Sequence, residues 1–131
     1  MKLTVCLLAS EAAPLSKTGG LADVSGALTK YLHSVGHDVR LFTPLYKSID
    51  RAKIGAQPLQ ALQNFEVAAG PHRYVFSAFA AQLPGSAAPV YLLDCPALYH
   101  RATLYTADAD EHLRFIAFTR AALMVCQKMN W

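Results

Sequence analysis

Between Lys2 and Phe42 the hydrophobic pattern changes period twice, and this restricts the folds open to the chain more than any other feature. Lys2 to Ala9 is nearly continuously apolar, with Val5, Leu7 and Leu8. Its length and flanks predict a strand buried on both faces. From Gly20 to Val35, the residues Leu21, Val24, Leu28, Leu32 and Val35 recur at steps of three or four, the spacing of one helical face. Gly36 supplies the C-terminal cap, and Val39, Leu41 and Phe42 read as a second strand. Strand, helix, strand is a βαβ unit, whose two strands lie parallel with a right-handed crossover. The expected class is α/β, a Rossmann-like sheet with a parallel core and helices on both faces.

The remainder fits that frame. Lys47 to Pro58 is polar and unpatterned, and reads as loop. "NFEVAAG" and "HRYVFSAFAAQL" predict a hairpin about Gly70-Pro71, and Pro89 to Asp94 a further buried strand. "CPALYHRATLYTADA" reads as loop with a short helical turn. Asp108 and Glu111 are spaced as a capping box, predicting a helix from about Ala109 to Lys128 with Leu113, Ala117, Ala121 and Met124 inward. Trp131 follows that helix with no closing strand, where a helix-covered sheet normally continues. The expectation for 1–131 is therefore a truncated amino-terminal domain, with apolar surface left open from Ile116 to Met124.

Composition narrows the function. With 53% apolar and 16% charged residues among 131, the chain is core-rich and one domain in size. The net charge of +3 is scattered with no basic run, which argues against nucleic-acid binding. No apolar run reaches the roughly 18 residues of a membrane span. The start imitates a secretory signal, but its basic region is Lys2 alone and cleavage would remove the first strand. A cytoplasmic protein is expected. Cys6, Cys95 and Cys126 form no Cys-x-x-Cys pair and read as buried thiols, and the five histidines show no zinc spacing.

The candidate site is the turn after the first strand, "SEAAPLSKTGGLADV". Pro14 bars a direct run from strand into helix. Ligands of open α/β sheets bind beyond the carboxyl ends of the strands. Here that end delivers Ser10 and Glu11, then Lys17, Thr18, Gly19 and Gly20 at the helix start. Glycines without Cβ admit positive φ and close approach of a ligand. The helix start offers unpaired N–H groups and partial positive charge, and Lys17 adds a full one. Together they suit a phosphate or pyrophosphate. Neither the dinucleotide Gly-x-Gly-x-x-Gly spacing nor the Walker order fits, because here the lysine precedes the glycines. Asp23 suits the positive end of the helix, and with Glu11 it could accept hydrogen bonds from sugar hydroxyls. The ligand class this suggests is a phosphorylated carbohydrate.

These residues carry a resemblance. "SEAAPLSKTGGLADVSGAL" resembles the amino-terminal signature of bacterial glycogen synthases and plant starch synthases, Ser-x-Glu-x-x-Pro-x-x-Lys-Thr-Gly-Gly-Leu-Ala-Asp-Val. "GHDVRLFTPLY", "VYLLDCPALYHR" and "DADEHLRFIAF" resemble later segments of the same family, in family order. The resemblance implies a retaining glycosyltransferase of the GT-B arrangement, with two Rossmann-like domains facing a cleft. It implies transfer of glucose from ADP-glucose to the non-reducing 4-hydroxyl of an α-1,4-glucan, glycogen or starch, with no metal and no other cofactor. It also implies that Lys17 and the Thr18-Gly19-Gly20 turn contact the donor phosphates, with Lys17 and Asp23 catalytic. Glu11 and Asp23 fall at sugar- or glucan-contacting places, and Tyr105 matches a tyrosine near the glucosyl site, across a loop one residue shorter. Glu111 stands where the family commonly has asparagine.

By the same resemblance the second, nucleotide-binding domain lies outside these residues, so the chain alone is expected to be inactive. The compartment is the cytoplasm, or the plastid for a plant starch synthase. Glycogen versus starch, ADP- versus UDP-glucose and oligomeric state stay open at this level. So does a non-catalytic glucan-binding module derived from such a synthase.

Overall fold

The computed structural model describes residues 1–131. Six strands form one sheet: β1 (Thr4–Leu8), β2 (Asp38–Pro44), β3 (Gln57–Pro58), β4 (Phe65–Ala69), β5 (His72–Gln82) and β6 (Pro89–Asp94). The helices are α1 (Gly20–Ser34), α2 (Pro96–Tyr99) and α3 (Glu111–Lys128). The strand order is β1-β2-β6-β5-β3, with β4 paired to β5 off this path.

β1 and β2 are parallel, from Thr4 opposite Asp38 to Leu8 opposite Phe42, so the predicted βαβ unit is present. β6 adds parallel to β2, with Leu41 opposite Val90. β5 then reverses direction against β6, and the β4–β5 hairpin turns at Gly70, whose φ is +60°. The result is a mixed α/β sheet with a three-stranded parallel core. That core delivers the ends of β1, β2 and β6 to one edge of the molecule.

The strongest burial lies along β2 and β6, not β1. Leu41, Phe42, Val90, Leu92 and Leu93 are fully buried, and Phe76, Leu98, Ala117, Ala121 and Val125 complete the same cluster. β1 was expected to be covered on both faces. Instead it is the outer strand, half-exposed along its length. An apolar run reports the capacity to be buried, and here neighbours exist on only one side.

The α1 stripe corrects the sequence reading more sharply. Leu21, Val24, Leu28 and Val35 face solvent, and Val24 is 61% exposed. The face turned to the protein is the one with small residues, Ala22, Ser25, Gly26 and Thr29. Periodicity locates a stripe but does not say which face packs. Here close approach decides, because the Ala13 N–H donates to Ala22 O at 2.9 Å and a Cβ on Gly26 would collide with the Ala13 carbonyl oxygen. The end of the helix is as expected, with Gly36 at φ +91° and its N–H on His33 O.

α3 begins two residues later than the spacing predicted, and no capping box forms. Asp108 instead receives Arg101, and Glu111 turns back to Thr106 and Arg114. Both side chains are thus taken by other side chains and by the Thr106 N–H, and neither caps the helix start. Inward residues are Arg114, Ala117, Phe118, Ala121, Ala122 and Val125, while Leu113 and Met124 only border the core. Ile116 and Leu123 are exposed, as expected for this stretch. Of the cysteines only Cys95 is buried, and burial pushes its thiol up to about 11. Cys6 is exposed, 3.9 Å from the sulfur of Cys126. No helix is long and apolar enough to cross a membrane.

Two stability predictions follow from this packing. Gly26→Ala forces α1 away from Ala13 and should cost about 1–3 kcal/mol in urea unfolding, as overpacking does elsewhere; an unchanged midpoint contradicts the contact. The second concerns acid. The Arg101 guanidinium holds the Asp110 carboxyl below its ordinary value through bonds of 2.8 and 2.7 Å. Burial raises Glu111, but the Thr106 N–H and hydroxyl and Arg114 outweigh it and its carboxyl also lies low. Carboxyls depressed by folding stabilise above their unfolded values, about pH 4, and lose this as pH falls through the folded ones. Tm should therefore decline on acidification below about pH 4, and less steeply in Asp110→Asn. A variant with the parent's slope would speak against the pairing.

Candidate functional site

Loop 9–19 joins the carboxyl end of β1 to α1. Its first half folds on itself, with the Leu15 and Ser16 N–H groups both on Ala12 O, at 2.9 and 3.0 Å. Its second half is tied down by Glu11, which is 3% exposed. One carboxylate oxygen, Oε2, accepts both the Thr18 N–H and the Thr18 hydroxyl at 2.7 Å. Gly19 follows as the N-cap of α1, in extended backbone, and no side chain caps the helix. The first-turn N–H groups therefore have no side-chain partner and carry the positive end of the helix dipole.

Of the two reasons anticipated for the paired glycines, positive φ and close approach of a ligand, positive φ is not observed. Gly36, Gly55, Gly70 and Gly85 adopt it, whereas Gly19 and Gly20 do not. A Cβ at either Gly19 or Gly20 would meet nothing within 4 Å. What their bareness provides is open space directly over the helix start.

Lys17 reaches across that space. Its ammonium bonds both Asp23 oxygens, at 2.9 and 2.7 Å. Asp23 lies in the first turn of α1. The two side chains are 53% and 57% exposed, so the pair is worth at most about 1 kcal/mol and separates easily. This differs from the expected facing pair of Glu11 and Asp23. Glu11 is committed inward to Thr18, and Asp23 is committed to Lys17.

Tyr105 arrives from the loop before α3. Its hydroxyl lies 2.6 Å from the Ser10 Oγ, and its ring is tilted against Phe115 at 5.9 Å. Lys17, Thr18, Gly19, Gly20, Asp23 and Glu11 thus share one loop–helix junction, and Tyr105 joins it through Ser10.

Sequence reasoning missed the layer beneath. Tyr46, 2% exposed, donates its hydroxyl to Ser10 O at 2.6 Å. Burial, with Tyr105, Glu11 and Glu111 nearby, pushes its phenol well above the ordinary range, so it remains a neutral donor. Arg114 is fully buried, donating to Leu98 O at 2.6 Å and to Leu104 O and Glu111 at 2.8 Å each. A usable signal was present in both cases, since Tyr46 closes "TPLY" and Arg114 lies in "DADEHLRFIAF". Beyond the carboxyl ends of β2 and β6 open two clefts of about 350 Å³ each, sharing Tyr46 and Lys47. Asp94 and His100, 3.1 Å apart, line one, and Arg101 and Thr103 line the other.

These groups have the chemistry to hold an anion and to hydrogen-bond hydroxyls. Open N–H groups and the Lys17 ammonium suit negative charge, and a carboxylate and hydroxyls stand nearby.

The chain is similar in sequence and fold to known proteins. Residues 4–131 match the family model described as the starch synthase catalytic domain. Glycogen synthase 1 of Geobacter sulfurreducens is 40% identical over 126 residues, covering 93% of this chain and 25% of that protein. The glycogen synthase of Aeromonas salmonicida is 38% identical over 133 residues, covering 98% of this chain and 26% of that protein. Among solved structures, the catalytic domain of starch synthase IV from Arabidopsis thaliana, bound to ADP and acarbose, superposes with a TM-score of 0.85. It is 28% identical, over 99% of this chain and 26% of that one. The chain spans about a quarter of the length of the relatives it matches. With a parallel α/β core, a Lys-Thr-Gly-Gly helix start and a family match across nearly every residue, the chain belongs to the starch synthase catalytic domain family.

Proposed function

We propose that the protein to which these residues belong transfers glucose from ADP-glucose to the non-reducing 4-hydroxyl of an α-1,4-glucan with retention, as a glycogen or starch synthase. The observation that carries the proposal is the uncapped start of α1 with open space over Gly19 and Gly20 and Lys17 alongside. It is supported by the 0.85 match to a starch synthase bound to ADP and acarbose.

The chemistry follows from where charge grows. As the glucosyl bond breaks, negative charge develops on the departing diphosphate. Groups placed there in advance stabilise the transition state more than the ground state. In this reading the first-turn N–H groups of α1 receive one phosphate, and Lys17 swings from Asp23 to the other. Asp23, released, accepts a sugar hydroxyl. Thr18 and Glu11 hold the turn in shape, and Tyr105 borders the glucosyl ring. Because the Lys17 ammonium and the helix amides neutralise the leaving group, the transfer is proposed to need no metal and no other cofactor. The part of the protein beyond this chain supplies the rest of the nucleotide pocket and closes the cleft against water.

Lys17→Ala in the full-length protein should lower kcat for glucose incorporation from ADP-glucose by about tenfold or more, in line with loss of one such donor elsewhere; unchanged kinetics remove Lys17 from the mechanism. The isolated 131-residue chain, assayed with ADP-glucose and a glucan, should show no turnover. Robust incorporation would overturn the division of labour between its parts.

A further inference from the structure

Tyr105 sits in a stretch without regular structure, yet hydrogen bonds hold the residues on both sides of it. On one side the Leu104 carbonyl accepts from Arg114 Nη1 at 2.8 Å. On the other the Thr106 N–H donates to Glu111 Oε2 at 2.9 Å and the Thr106 hydroxyl to Glu111 Oε1 at 2.7 Å. Arg114 Nη1 also donates to Glu111 Oε1 at 2.8 Å, so the two anchors are one unit on the first turn of α3. That unit has little freedom. Arg114 is fully buried, its Nε is on Leu98 O at 2.6 Å, and its own carbonyl accepts the Tyr99 hydroxyl at 2.8 Å. The Tyr105 carbonyl takes a further bond from the Thr103 hydroxyl at 2.6 Å.

We infer that Glu111 and Arg114 are positioning residues for glucosyl transfer: the ion pair between half-buried Glu111 and fully buried Arg114 clamps the chain before and after Tyr105 and so aims its hydroxyl at Ser10. Resting on the proposed function above, this assigns a task to Glu111, whose expected capping box does not form. A carboxylate provides what the arrangement uses. Its two oxygens accept three bonds here, from an amide, a hydroxyl and a guanidinium, whereas an asparagine amide has one oxygen and offers N–H donors on the other side. Its negative charge also compensates the buried guanidinium. From Tyr105 the order passes to Ser10 at 2.6 Å, which is fixed from below by Tyr46 and precedes Glu11 in the loop. Through Tyr105 and Ser10, the first turn of α3 is joined to the loop that presents the cradle.

The test uses the full-length protein with Glu111→Gln, Thr106→Val, Tyr105→Ala and the Glu111→Gln/Tyr105→Ala double variant. Thr106→Val leaves the Glu111–Arg114 ion pair intact and serves if Glu111→Gln does not fold. Two readouts are taken: kcat/KM with ADP-glucose, and amide hydrogen exchange of residues 103–106 without substrate. The clamp predicts faster exchange at these amides in Glu111→Gln and Thr106→Val, and kcat/KM lowered by about tenfold to a hundredfold in Glu111→Gln. It also predicts that Glu111→Gln costs little more once Tyr105 is alanine, because both changes act through one side chain. Additive losses in the double variant would overturn the positioning role, and parental exchange rates would overturn the clamp itself. If the parent protein transfers no glucose from ADP-glucose, the proposed function fails, and the exchange readout alone decides whether Glu111 and Arg114 hold Tyr105.

Discussion

The two bonds from Thr18 to the Glu11 carboxylate are the constraint on which the site rests. They close loop 9–19 across seven residues and set the direction in which the backbone leaves Thr18 for α1. Without that tie, Gly19 and Gly20, where even an added Cβ would meet nothing, have no reason to hold the helix start open. The tie draws its strength from burial, since a carboxylate at 3% exposure meets little competition from water for its donors. The same loop then fixes α1 from the side, through Ala13 on Ala22 and the close approach of Gly26.

Around this tie the fold divides its tasks. β2 and β6 provide the buried, parallel floor that gives the edge of the sheet a fixed geometry. The antiparallel β4–β5 hairpin and α3 pack against one another to stabilise the far side of the chain. α3 does a second job at its first turn, where charged side chains hold the irregular segment 100–110 that carries Tyr105. The irregular parts of the chain are thus held by side-chain bonds to rigid elements, which lets loops present functional groups with defined geometry.

Much of this was legible in the sequence, for identifiable reasons. The βαβ order, the hairpin and the end of α1 follow from local rules, where period and a glycine at positive φ suffice. The meeting of Lys17, Thr18, Gly19 and Gly20 at the start of α1 was equally legible, because the order strand, Lys-Thr-Gly-Gly, helix is local too. What could not be read were decisions between alternative partners. Leu21, Val24 and Leu28 have the spacing of a packed stripe, yet the small-residue face won because it allows backbone contact with Ala13. Asp108 and Glu111 have the spacing of a capping box, yet Arg101, Thr106 and Arg114 outbid the helix amides for them. Asp23 and Glu11 read as a matched pair, yet each had a nearer donor. Each of these turned on a competition that only three dimensions can decide.

The resting bond between Lys17 and Asp23 has a consequence for anion selectivity. The ammonium already lies against two carboxylate oxygens, so a singly charged anion offers it nothing that it lacks. Chloride or a lone carboxylate from solution would have to displace an equal charge held on the same helix, at a higher effective concentration. A ligand bearing more charge than Asp23, able to engage the helix amides at the same time, gains most from the exchange. Because the pair is exposed, the contact biases the ammonium toward Asp23 only weakly, and rising salt loosens it further.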